Sequence, residues 1–449
     1  MGGKHYLPLT DEDRQEMLAK IGVKSADDLF SDIPAEVRLQ RELDLPPAIS
    51  ESEVLKHLNS LAAKNKHFHN CVSFMGAGVY DHFIPSIVSH ITGRSEFYTC
   101  YTPYQPEISQ GILQAIFEYQ TMICQLTGMD VANASMYDGG TAVAEGAVMG
   151  CGATRRSKAL VSKSVSPFYR EVLRNYFSSR GLDLEEIPVK DGYTDKSELE
   201  KMLGDDVASV ILQQPNFFGL VEDMDNVADM IHSHKAVFVV SVDPLSLALL
   251  KSPADYGADI VVGEGQSLGV PASFGGPLLG IMASRSKFVR QLPGRIAGET
   301  VDSEGNRGFV LTLQTREQHI RREKAASNIC SNEALVALGA SVYMAAMGPS
   351  GLREVAGQCL QKAGYAREKI AALDGFEDVF PGPVFKEFAI KVPGDPAELN
   401  KKLLEKDILG GVDLTPFYPE MKNTMLFAVT EKRTREEIDS LVRELEGWK

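Results

Sequence analysis

Five short runs constrain this chain more than anything else in it: 159–161, 207–212, 237–242, 260–262 and 278–281. They are apolar almost throughout and mostly β-branched, and helical stretches such as 167–177 and 226–234 lie between several of them. Strands that are apolar on both faces and joined through helices predict a parallel sheet covered on both sides. The chain therefore reads as α/β from about residue 66 to 330.

Sequence flanks that sheet on both sides. Residues 1–65 read as a helical arm. Thr10 caps a helix that ends before Gly22, and Ser50 with Glu53 forms a capping box ahead of Val54, Leu55, Leu58 and Leu61. That leucine stripe is expected to pack on the parent domain or on a partner subunit. Residues 106–128 predict a long amphipathic helix with Ile112, Leu113, Ile116, Phe117, Ile123 and Cys124 inward. Beyond residue 331, helices at 333–346 and 352–372 lead into strands at 384–392 and 425–429 and helices at 396–406 and 434–445. The expected domains are thus an arm (1–65), a large α/β domain (66–330) and a small α+β domain (331–449).

Charge and cysteine usage exclude some functions. With 449 residues and a net charge of −15, the chain lacks the basic surface that nucleic acid requires. Arg316, Arg321, Arg322 and Lys324 make only a local basic run, read as a solvated helix face that could receive an acidic carrier. The six cysteines show no CxxC pair and no metal-ligand spacing, so no metal site is expected and reduced thiols are. The N-terminus has neither a signal core nor a transit-peptide composition, and no apolar run suggests a membrane span. A cytoplasmic protein is expected.

Three segments carry candidate chemistry. Ser135-Met-Tyr-Asp-Gly-Gly-Thr-Ala142 is a small-residue loop entering a helix, the form of a phosphate cradle or of a tight turn before a buried helix. Within it Gly139, Gly140 and Thr141 would offer backbone N–H groups, whereas Asp138 opposes an anion. At ~5 Å and an effective dielectric of ~20 the repulsion is about 3 kcal/mol per unit charge. Asp243 ends the 237–242 strand, where a carboxylate either lies at the ligand-binding rim of an α/β sheet or makes an Asp-Pro turn. A glycine-rich loop follows the 260–262 strand. In a pyridoxal-phosphate enzyme the Schiff-base lysine would stand at about position 266, and this chain has Gln266, whose amide cannot form an imine.

Taken with Phe74-Met-Gly-Ala-Gly-Val-Tyr-Asp-His82, Tyr101-Thr-Pro-Tyr-Gln-Pro-Glu-Ile-Ser-Gln-Gly111, Leu313-Gln-Thr-Arg-Glu-Gln-His-Ile-Arg-Arg-Glu-Lys324 and Ser327-Asn-Ile-Cys330, these segments resemble the glycine cleavage system P-protein family. The resemblance is to subunit 1, the α subunit of the two-subunit form, and spans nearly the whole chain.

It implies fold type I of the pyridoxal-phosphate enzymes, aspartate aminotransferase-like, with a large parallel-sheet domain and a small C-terminal domain. It also implies glycine decarboxylation shared with a subunit 2 that bears pyridoxal phosphate, in a heterotetramer of two α and two β chains, with lipoyl H-protein receiving the aminomethyl group. No covalent cofactor is expected on this chain, whose residues Asp138, Gly139, Gly140, Thr141, Asp243 and Gln266 would form a degenerate site. Tyr101, Tyr104, Gln105 and Glu107, with Tyr80 and His82 nearby, are expected to reach the partner's active site. Two alternatives stand: a self-sufficient enzyme using another lysine, such as Lys251 or Lys324, and a structural scaffold without a chemical role.

Overall fold

A computed structural model describes residues 8–448. The chain divides into two compact units, Met1–Asn65 and Lys66–Lys449. In the first, α1 (Asp11–Ile21) and α2 (Glu51–Ala62) both begin with capping boxes, from Thr10 and Ser50. Gly22, at φ +89°, ends α1 in the left-handed conformation that glycine adopts without steric cost. Neither helix buries a residue, and Leu55, Leu58 and Leu61 are exposed.

The second unit is built on a seven-stranded sheet. Its strands, in chain order, are β1 (Val131–Ala132), β2 (Lys158–Ser162), β3 (Asp183–Ile187), β4 (Val207–Gln214), β5 (Val237–Val242), β6 (Ile260–Glu264) and β7 (Gly280–Ser284). Their spatial order is β1-β7-β6-β5-β4-β2-β3. Neighbours from β3 through β6 pair in parallel, while β7 runs antiparallel to both β6 and β1. The sheet is therefore mixed where an all-parallel one was expected. The connection 265–279 contains no helix, so the chain doubles back after β6 and cannot make a parallel crossover.

Helix α3 (Gln110–Thr127) is preceded by a separate 3-10 turn, Pro106–Ile108, because Ser109 (φ −122°, ψ 19°) breaks the helix predicted over 106–128. Helix α4 (Gly139–Thr154) packs its glycines and alanines on the sheet and is buried over almost its whole length. Helix α5 (Pro167–Arg180) lies beside it. An exposed hairpin, β8 (Ile296–Val301) with β9 (Arg307–Thr312), packs on α3 through Phe309 and Leu311.

The span α6 (Ala334–Ala371) holds the two helices expected there, parted at Gly348, whose dihedrals (φ 60°, ψ 179°) are non-helical, just ahead of Pro349. By length and composition α6 would suit a membrane, yet Ala337, Ala340, Tyr343 and Met344 on it pack into the protein core. A second, four-stranded sheet comprises β10 (Glu377–Asp378), β11 (Glu387–Lys391), β12 (Val412–Asp413) and β13 (Thr424–Ala428), in the order β10-β11-β13-β12. Two helices, α7 (Pro396–Glu405) and α8 (Arg435–Glu446), complete its core with Leu399, Leu403, Ile438 and Leu441.

Candidate functional site

The C-terminal ends of β5 and β6 and the N-terminus of α4 converge with the start of β11 on one cleft between the two sheets. Asp243 leaves the end of β5. Its Oδ2 is 2.5 Å from the ammonium of Lys386, which immediately precedes β11 and is only 2% exposed. The same ammonium sits 3.5 Å from the centroid of the Tyr80 ring and 3.1 Å from His82 Nε2.

His82 Nδ1 lies 2.6 Å from Glu431 Oε2. Burial and the adjacent Lys386 ammonium push the His82 pKa below its ordinary value. We therefore assign a neutral imidazole that accepts from Lys386 at Nε2 and donates from Nδ1 to Glu431. Glu431 also accepts from the Phe83 N–H at 2.6 Å. Cys359 Sγ joins His82 and Glu431 in a group whose ligand atoms lie within 4.8 Å of one another. An ammonium in direct contact with the imidazole makes this group a poor metal site.

Gln266 is fully enclosed. It accepts from the Tyr80 N–H (2.9 Å) and donates to the carbonyls of Tyr80 (3.0 Å) and Val270 (2.7 Å). At the N-terminus of α4, Asp138 accepts from the Thr141 N–H at 2.7 Å and from its hydroxyl at 3.1 Å. Beside it Glu264, the last residue of β6, accepts from the N–H groups of Gly139 (2.9 Å), Leu279 (2.9 Å) and Gln266 (3.0 Å). The backbone end that could cradle a phosphate thus already holds two carboxylates. Burial pushes Glu264 up to about 7 against the pull of those three donors, with Asp138 adding to the rise. Gly139 is required here, since a Cβ would lie 2.6 Å from the Tyr169 hydroxyl and 3.0 Å from the Glu264 Cβ.

Glu387 completes the interior. It accepts from the Ala77 N–H at 2.6 Å and from the Tyr80 hydroxyl at 2.8 Å, and burial pushes it up to about 7. A cavity of about 30 Å3 remains among Tyr80, Tyr169, Asp243, Glu264 and Glu387. A far larger concavity, about 770 Å3, runs along the C-terminal half of α4 and shares no lining residue with this cleft.

The 101–107 segment lies on the surface. Tyr101 is 85% exposed, and Tyr104, Gln105 and Glu107 are exposed as well. Tyr104 is held from beneath: its hydroxyl accepts from Arg295 Nη2 at 3.0 Å, and the guanidinium lies 5.4 Å from its ring centroid. Arg295 is itself buried and donates through Nη1 to Ser331 (3.1 Å) and Asn332 (3.3 Å). The His319 ring meets Tyr104 edge-on at 6.3 Å. Asn332 in turn donates to the Ala134 carbonyl, and Tyr137 accepts from the N–H groups of Cys330 and Ser331. Segments 101–111 and 313–324 thereby meet at Tyr104 and His319, segment 327–330 meets the 135–142 loop at Tyr137, and Arg295 and Asn332 link the two groups. Tyr80 and His82, by contrast, are committed inside the chain.

The basic run is not one helix face. It forms three short turns, Gln314–Arg316, Gln318–Arg321 and Arg322–Lys324. Arg316 is partly buried and bonds the carbonyls of Leu313 and Gly294, while Arg321, Arg322 and Lys324 are exposed. Lys251 and Lys324 both point to solvent.

Lys386, Glu387, Glu264, Glu431 and Arg295 did not stand out in the sequence. One signal was present: Lys386-Glu387 interrupts the apolar residues at the start of the 384–392 strand candidate, and a charge pair there demands buried partners.

The mixed seven-stranded sheet, the smaller sheet beside it and the cleft at the strand ends define an α/β protein with fold type I of the pyridoxal-phosphate enzymes. Two solved structures share that fold at low identity: a sphingosine-1-phosphate lyase from Burkholderia pseudomallei (13% identity, TM-score 0.64, 92% of each chain covered) and a NifS-like protein (12%, TM-score 0.63, 84% of this chain and 98% of that one).

Nearer similarities are specific. The family profile of the glycine cleavage system P-protein matches residues 4–445. A probable glycine dehydrogenase (decarboxylating) subunit 1 from Moorella thermoacetica is 59% identical over 98% of this chain and 99% of its own length. Its counterpart from Anoxybacillus flavithermus is 58% identical, with 98% of each chain covered. The crystal structure of an inhibitor-bound glycine decarboxylase (P-protein) superposes with TM-score 0.91 at 46% identity over 98% of this chain and 99% of that one. The chain belongs to the glycine cleavage system P-protein family, as a glycine dehydrogenase (decarboxylating) subunit 1.

Proposed function

We propose that this chain is the half of a two-subunit glycine decarboxylase that carries no cofactor and completes the active site of its partner. The partner, subunit 2, bears pyridoxal phosphate, and the pair decarboxylates glycine and passes the aminomethyl group to the lipoyl arm of H-protein. The assembly is taken as two copies of each chain around a two-fold axis, and the compartment as the cytoplasm, where six free cysteines are at home.

One observation carries this reading: the cleft that would hold the cofactor is filled by the chain's own side chains. Pyridoxal phosphate needs an imine nitrogen, a free helix N-terminus for its phosphate and a free acid for its ring nitrogen. Here Gln266 is tied to three backbone groups, Glu264 and Asp138 occupy the N-terminus of α4, and Asp243 is paired with Lys386. A remaining cavity of about 30 Å3 has room for about one water molecule. The residues present do not fit the group.

What the chain offers instead lies outside the cleft. Tyr101, Tyr104, Gln105 and Glu107 are exposed on a stretch stiffened by Pro103 and Pro106, and Arg295 fixes Tyr104. Such a surface can enter a partner's site at little ordering cost. Tyr80 and His82 contribute from behind, by holding the 74–83 loop. Reconstitution tests the reading. Glycine-dependent exchange of carbon dioxide should be absent with either subunit alone and present with both. Exchange by this chain alone would refute it.

A further inference from the structure

We infer that the cleft carries a built-in ligand, with Lys386 standing where the ligand's cation would be and the Glu264 carboxyl oxygens where its phosphate oxygens would be, and that this internal ligand locks the two sheets and the 74–83 loop together. The inference rests on the reading that the chain binds no cofactor.

In cofactor-bearing members of this fold class, an acid such as Asp243 faces the positive charge of a protonated ring nitrogen. Lys386 brings its amino group to that acid from the other sheet, so the pair spans the cleft. It also reaches the 74–83 loop twice, through the Tyr80 ring and His82 Nε2. Glu387, the next residue, takes the Ala77 N–H and the Tyr80 hydroxyl of the same loop. The large-sheet side holds the loop through Gln266, which pairs with both backbone groups of Tyr80. Beyond β13, Glu431 takes His82 and the Phe83 N–H, while Lys432 (2.6 Å) and Arg433 (2.9 Å) both pair with Asp81. Glu264, filling the end of α4, ties β6 to Gly139 and Leu279.

Every one of these partners is supplied by the chain. In an enzyme of this architecture, ligand binding can draw the two sheets together. Here the closed arrangement needs no ligand and is the resting state of the subunit, which would suit a surface that must be presented ready-made.

Hydrogen exchange of the full chain, read by mass spectrometry, tests the lock. Lys386→Met should accelerate exchange at least tenfold in three separated places: 74–83, 243–249 and 424–431. Asp243→Asn should do so to a lesser degree, since Lys386 keeps Tyr80 and His82, and the double variant should fall well short of the product of the two single effects. Acceleration confined to 384–391, or single effects that simply multiply, would overturn the lock. If Lys386→Met fails to fold, Asp243→Asn decides alone: exchange changed in 74–83 supports the lock, and exchange changed only around 243 refutes it. The same samples, incubated with pyridoxal phosphate and borohydride, report separately on the cofactor-free reading. A stoichiometric pyridoxyl-lysine in the wild type would sink that reading, whatever the exchange pattern.

Discussion

Glu264 Oε2 accepts the backbone N–H of Gly139 at 2.9 Å, so the first free donor of a helix that could bind phosphate is taken by a carboxylate from the adjacent strand. An incoming phosphate would have to displace Glu264 and tolerate Asp138. Neither inorganic phosphate nor pyridoxal phosphate should therefore raise the melting temperature of the isolated chain. A ligand at 100 times its Kd would add about 2.7 kcal/mol to stability, which is easily seen. A saturable upward shift with either compound would contradict this.

Gln266→Lys should not create a self-sufficient enzyme. The amide serves as acceptor for the Tyr80 N–H and as donor to two carbonyls, and a lysine cannot accept. The substitution strands a buried N–H and should cost about 1–3 kcal/mol, measurable by urea denaturation. Visible absorbance from a cofactor imine in this variant would show that the rest of the site is intact.

Glu387 makes stability depend on pH in a defined direction. Burial raises its pKa from 4.5 to about 7, so the folded chain holds a proton that the unfolded chain releases. Stability from this group is present below about pH 4.5 and is lost as the pH rises towards 7. Glu387→Gln mimics the protonated form, since its carbonyl can accept from Ala77 and its amide can donate to Tyr80. Relative to wild type the variant should gain about 1–3 kcal/mol between pH 5 and pH 8. A constant difference across that range would show that Glu387 is not protonated in the fold.

How much of this was legible beforehand follows from where each signal came from. The central strands β4, β5 and β6 were plain, because burial on both faces forces near-continuous apolar runs. Strand β3, with sequence Asp-Leu-Glu-Glu-Ile, carries no such signal: it is an edge strand whose exposed face carries acids, so the apolar run is absent. The hairpin of β8 and β9 lacks a signal for a similar reason, since much of it faces solvent. The backbone positions of Asp243 and Gln266 were readable from the ends of strands. Their partners were not: Lys386 reaches Asp243 across 143 residues of sequence, 386 minus 243, and no local pattern encodes such a pairing. Arg295 beneath Tyr104 was hidden in the same way.

Arg295 sets up a narrower expectation on the surface. It bonds Tyr104, Ser331 and Asn332 at once, so Arg295→Met should loosen the 101–107 segment and leave the cleft unaltered. Protease nicking near Tyr101 should rise several-fold in the isolated chain, with no change in exchange at 243–249. Loosening of both regions together would mean that the surface and the cleft are one cooperative unit.

The central claim is that this subunit lends side chains to chemistry in its partner, and glycine decarboxylation by the reconstituted complex of Tyr104→Phe or Glu107→Gln tests it most directly. Both residues are exposed in the isolated chain, but Tyr104→Phe removes the acceptor of buried Arg295 Nη2, so its fold is checked by circular dichroism first and Glu107→Gln serves as the variant without that loss. With assembly confirmed and the partner's cofactor absorbance unchanged, the rate should fall by about ten- to a thousandfold, or about 1.4–4 kcal/mol of transition-state stabilisation. Wild-type rates from both assembled variants would contradict the claim and leave the 101–107 segment as packing between subunits.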